Sequence, residues 1–185
     1  MPFEFLIPHR LILSHVLLVA IVAGCAALDP WPPRGAAVPQ PDVGVPKDPA
    51  RALDLAKVIE ELIVLHNRSR AEGKLASLSA SKKLQSAAEG HASDMAARHK
   101  MTHTGSDGST PSSRISASGY RIKRCGENIA CGLTTPEEVM KGWMKSPPHK
   151  ANILGNFSQI GAGCAIAEDG TPFWCVTFGL PARQE

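Results

Sequence analysis

The C-terminal part of the chain leaves few folding choices. Ile160 to Ala167 and Pro172 to Phe178 are strand-like runs joined through Glu168-Asp169-Gly170-Thr171. Asp-Gly between two such runs is a strong hairpin signal, because both residues tolerate the backbone angles of a tight turn. Upstream the pattern is helical. From about Asp48, Leu55, Ile59, Leu62 and His66 follow a 3–4 residue spacing, Val58 and Ile63 widen the stripe, and Gly73 ends it. A second helix is expected from near Ser79 or Ser81, with Leu84, Ala88, His91 and Met95 on its inner face. Ala and Ser fill many of its other positions and permit close packing against a neighbour. Residues 104–112 read as a loop, followed by a short helical turn from Arg114 to Ala117. Thr135-Pro136-Glu137-Glu138 starts a third helix, with Thr135 as cap, Pro136 first and Glu138 completing a capping box. Val139 and Trp143 then face the core. Helices early and between, with strands late, give a mixed α/β domain around one small, mostly antiparallel sheet.

The chain of 185 residues suggests one domain with extensions. Its net charge of +3 is spread without a block of like charge. That argues against nucleic acid as a partner, which calls for a concentrated basic face. Residues 1–24 read as an export signal. Arg10 precedes an apolar run from Leu11 to Gly24 that is broken only by Ser14 and His15, too short for a membrane span. Val22-Ala23-Gly24-Cys25 resembles a bacterial lipoprotein signal, in which Cys25 is lipidated and anchors the chain to a membrane surface. Plain cleavage near Ala26 or Ala27 and a retained anchor are the alternatives. Residues 25–49 form a Pro-rich linker, with seven prolines from position 26 on.

The five cysteines support export. With Cys25 lipidated, Cys125, Cys131, Cys164 and Cys175 remain, and an oxidising compartment favours their pairing. Three pairings are open. Cys164 and Cys175 are equidistant from the centre of the hairpin, which puts them opposite each other. The expected bonds are Cys164–Cys175, and Cys125–Cys131 closing a short loop around Glu127.

Three polar residues sit in distinctive stretches. They are His103 in Met101-Thr102-His103, Glu127 in Cys125-Gly126-Glu127-Asn128-Ile129-Ala130, and His149 in Ser146-Pro147-Pro148-His149-Lys150-Ala151-Asn152-Ile153 after Trp143. Two imidazoles and a carboxylate, brought together, can bind a divalent metal or hold a polar ligand. They can equally line a solvated groove without chemistry.

With His66-Asn67-Arg68-Ser69-Arg70 before them and Phe157-Ser158-Gln159-Ile160-Gly161-Ala162-Gly163 after, these stretches resemble, in order, the CAP superfamily. The match runs over about residues 55–181. The Ser-Pro-x-His-x-x-Asn-Ile form looks like its bacterial SCP-domain branch. The resemblance implies an α+β fold, a three-layer α-β-α sandwich over residues 50–181, with 182–185 as a tail. It also implies a groove holding two His and two acidic residues. His103, Glu127 and His149 match three of these. The second acid would fall three residues after Trp143, where this chain has Ser146, and losing a carboxylate weakens a cation site.

These residues are expected to share one groove. It would require no cofactor and could bind a divalent cation such as zinc weakly, through His103, His149 and Glu127. Ser146, His149 and Glu127 could also be read as a nucleophilic triad. There is no Gly-x-Ser-x-Gly elbow, and Ser146 ahead of Pro147-Pro148 reads as the cap of the short helix carrying His149. His66 and His91 are read as core histidines satisfied by backbone carbonyls, and Trp143 as core. Asn128 and Asn152 are read as braces for Glu127 and His149. The function expected is extracytoplasmic, non-catalytic binding of a lipid, a cell-wall component or a protein partner. A metal-assisted hydrolase of peptide or ester bonds and a structural envelope lipoprotein are the alternatives.

Overall fold

The structure is a computed structural model, and it describes residues 55–183. The export signal, Cys25, the Pro-rich linker and the expected helix start near Asp48 lie outside the described residues. The elements in chain order are α1 (Leu55–Glu72), β1 (Ser79–Ala80), α2 (Lys82–Ala97), α3 (Pro111–Ala117), β2 (Ile122–Cys131), α4 (Pro136–Lys145), α5 (Pro147–Ile153), β3 (Gln159–Ile166) and β4 (Pro172–Pro181). The four strands form one sheet in the order β1-β3-β4-β2. β1 runs parallel to β3, and the other two pairings are antiparallel. The fold is therefore α+β, and the sheet is mostly antiparallel.

Side-chain alternation along β4 builds two cores. Trp174, Val176 and Phe178 face Ile59 and Leu62 of α1, Val139 and Trp143 of α4, and Ile153 of α5. Phe173 and Cys175 point the other way, onto Ala88, Ala92 and Met95 of α2. The period of two in a strand thus produces the three layers. The α2 layer is unusually close. A Cβ on Gly161 of β3 would collide with the backbone of Leu84 and Gln85, and one on Gly163 would lie 2.5 Å from the Glu89 backbone nitrogen. The small residues of α2 and these two glycines form one close contact between helix and strand backbones.

His66 sits inside the first core, between the rings of Trp143 (5.7 Å) and Phe178 (5.6 Å). Its Nδ1–H donates to the Leu62 carbonyl at 2.7 Å, and its Nε2 is buried without a partner. Burial pushes its pKa down from 6.5 to about 4. The folded protein therefore holds the neutral ring while the unfolded chain accepts a proton below pH 6.5. This contribution is complete above pH 6.5 and is lost as pH falls towards 4, reaching about 3 kcal/mol. Urea titrations at pH 7 and pH 4.5 should show a smaller acid loss in His66→Gln than in the parent. Equal losses would refute the assignment.

Four local expectations are corrected. None of the four described cysteines forms a disulfide. Cys125 and Cys131 lie six residues apart on the single strand β2, about 20 Å along an extended chain. A disulfide spans no more than about 7 Å between Cα atoms. Cys164 is opposite Trp174, and Cys175 is opposite Gly163. The turn runs from Ala167 to Thr171, closed by the Ala167 N–H donating to the Thr171 carbonyl. That is five residues rather than four, so the register moves by one and the two sulfurs fall on opposite faces. Burial then pushes the Cys164 thiol up to about 12 and Cys175 well above its ordinary value.

The second correction is that the segment around Glu127 is this ten-residue strand, not a loop. The third concerns α4. Thr135 accepts from the Glu138 N–H, but the Glu138 carboxylate accepts from Thr134. The reciprocal capping box occurs instead at α3, between Thr110 and Ser113. The fourth is that Ser146 makes no side-chain cap bond to α5.

Candidate functional site

β2 is an edge strand of the sheet. Its alternation sends Glu127 and Asn128 to opposite faces, one towards α2 and the other towards α5. Asn128 Nδ2 donates to the His149 carbonyl (3.1 Å), while Asn152 Nδ2 donates to the Glu127 carbonyl (3.1 Å) and to Asn128 Oδ1 (2.9 Å). These bonds fasten α5, and His149 with it, to the centre of β2. Arg70 holds the other end of α5. Its buried guanidinium donates to the carbonyls of Ile153, Gly155 and Phe157, and to Ala76 nearer its own helix.

The Glu127 side chain is 2% exposed, yet both oxygens are engaged. His103 Nδ1–H donates to Oε1 at 2.7 Å, and Arg114 Nη2–H donates to Oε2 at 2.8 Å. The Cys175 thiol donates to Oε2 at 3.6 Å. His91 Nε2 stands 3.9 Å from Oε1 and is hydrogen-bonded at 2.8 Å to the Thr102 carbonyl. Burial alone would push the Glu127 carboxyl up. The bond from His103 and the charges of Arg114 and His91 outweigh it and hold the group below the usual carboxylate range. An ionised carboxylate only accepts, so the proton of this bond sits on His103 Nδ1.

His149 shares a 2.8 Å hydrogen bond between its Nδ1 and Ser146 Oγ. Its pKa is lowered, mainly by burial and then by the nearby His103 imidazole. Among the described residues no hydrogen bond joins the Glu127 carboxylate to His149, so the Ser146–His149–Glu127 triad is not assembled. Depressions of about 320 and 270 Å³ lie away from this edge. One is beside Ala97 and Ile166, and the other lies between α1 and α4.

A profile of the cysteine-rich secretory protein (CAP) family matches residues 63–178. This chain belongs to that family. It is 35% identical over 105 residues to the uncharacterised protein YkwD of Bacillus subtilis, a match spanning 56% of this chain and 41% of that protein. The fold is similar to an outer surface protein of Borrelia burgdorferi, with TM-score 0.64 and 24% identity over 68% of this chain and 94% of the other. It is also similar to an extracellular SCP-domain protein of Bacillus anthracis, with TM-score 0.62 and 24% identity over 68% of this chain and 41% of that one.

The residues of this CAP domain do not fit a dedicated metal centre. Among the described residues, no group of three or more His, Cys, Asp and Glu side chains is arranged to hold a metal ion. Glu127 stands behind His103 as a partner of its ring rather than beside it as a ligand. That leaves the Nε2 atoms of His103 and His149, fewer than the three or four protein ligands of a zinc site. Sequence reasoning missed Arg114, read Cys175 as a disulfide partner rather than a donor to Glu127, and gave Arg70 no role beyond its place in a family stretch. Arg114 lay on the expected turn after the loop, but nothing local connects it to a carboxylate thirteen residues later.

Proposed function

We propose that this chain is an extracytoplasmic binding module whose β2-edge groove takes a polar group of its ligand between His103 and His149. The ligand class is a lipid, a cell-wall component or a protein. The observation that carries this reading is the complete engagement of Glu127 inside the protein. Its oxygens orient one imidazole and neutralise Arg114, so the groove offers imidazole edges rather than a free carboxylate. The outer-surface and extracellular descriptions of the two fold neighbours support an extracytoplasmic location. On this reading Cys25 carries a lipid anchor.

The hydrolase alternative retains one observation, the Ser146–His149 contact. It needs a group to orient His149, and Glu127 is engaged by His103 instead. Native mass spectrometry of protein purified without added metal, together with co-sedimentation on purified peptidoglycan and on anionic lipid vesicles, tests the binding reading. We expect retention of one of these probes, lost in His103→Ala and in His149→Ala with the fold intact. Retention unchanged in both variants would defeat it, as would turnover of an ester or peptide probe abolished by Ser146→Ala.

A further inference from the structure

We infer that Arg114 is a positioning residue of this groove, and that its guanidinium provides inside the protein the positive charge a divalent cation would otherwise bring. The inference does not depend on which ligand the groove takes. Arg114 is 12% exposed and is held from several sides. Nη2 donates both to Glu127 Oε2 (2.8 Å) and to the carbonyl of His103 (3.0 Å), while Nη1 donates to the carbonyl (2.9 Å) and hydroxyl (3.3 Å) of Ser109. One guanidinium thus touches the backbone of His103 and the carboxylate that grips its ring. Main chain and side chain of His103 are fixed together.

The charge arithmetic gives the consequence. In a site with a second carboxylate and no guanidinium, a cation would relieve the negative charge. Here Ser146 is neutral and Arg114 cancels Glu127, so with neutral imidazoles the groove carries no net charge for a cation to balance. A carboxylate behind an imidazole raises the basicity of a metal-binding nitrogen, and the guanidinium on the same carboxylate opposes that effect. Of the three guanidinium nitrogens only Nε is buried without a partner, so both that face Glu127, His103 and Ser109 are committed.

The test is calorimetric titration of the full chain with zinc chloride at pH 7.5, for the parent, Arg114→Gln and Arg114→Lys. Folding is checked by circular dichroism. Arg114→Gln should bind zinc at least about tenfold more tightly than the parent, the range over which partners behind a ligand act. Arg114→Lys, which keeps the charge, should stay near the parent. A purely structural arginine would lower affinity or leave it unchanged. The inference falls if folded Arg114→Gln gains nothing, or if the parent already binds one zinc as tightly. Should Arg114→Gln fail to fold, nitrogen-15 spectra of the parent decide. His103 should be the Nδ1–H tautomer and unmoved by equimolar zinc, and a zinc-dependent shift of its Nε2 overturns the inference.

Discussion

Glu127→Ala should lower the stability of the domain by about 3–5 kcal/mol, the cost of removing one partner from a buried ion pair. The carboxylate accepts from His103, Arg114 and Cys175 at once, and its loss leaves the guanidinium facing His103, Ser109 and β2 without a counter-ion. Orphaned donors add to the charge term. For a domain of this size the melting temperature should fall by about 10 °C or more. The double variant Glu127→Leu, Arg114→Met separates pair from packing. With no uncompensated charge left, it should lose less than Glu127→Ala alone, an interaction a double-mutant cycle measures. A loss below about 1 kcal/mol for Glu127→Ala in calorimetry would show that the carboxylate is not the hub described.

Gly161→Ala should be nearly as damaging, through packing alone. The added methyl meets the backbone of Leu84 and Gln85, which cannot rotate away as a side chain would. Overpacking of this kind costs about 1–3 kcal/mol, and the upper end is expected where the obstacle is a helix backbone. Gly90 supplies the control. It lies on the exposed side of the same helix, and a Cβ there meets nothing within 4 Å. Gly90→Ala should stabilise by about 0.5–1 kcal/mol through helix propensity. If chemical denaturation gives both variants the same sign, the close α2–β3 contact is not a constraint. Lifting α2 would also move His91, so altered ligand retention in Gly161→Ala is expected alongside its lower stability.

The sequence by itself determined the elements whose signals are local. The stripe from Leu55 to His66, Thr135-Pro136 at the start of α4 and Asp169-Gly170 between β3 and β4 each act within a few residues. Their physics survives without the rest of the chain. The ordered stretches around His103, Glu127 and His149 likewise carried the family and the α+β fold. Tertiary structure alone decided what depends on register and on distant partners. One extra residue in the 167–171 turn separated Cys164 from Cys175, because side chains alternate and a shift of one changes the face. β2 was hidden because its alternation is irregular and its pairing partner, β4, lies some fifty residues on. Glu127 meets Arg114, His91 and Cys175 from three other elements, and no local spacing encodes that meeting. Ser146 stands at the cap position of α5 yet its hydroxyl is engaged by the His149 ring, a choice that only the folded geometry makes.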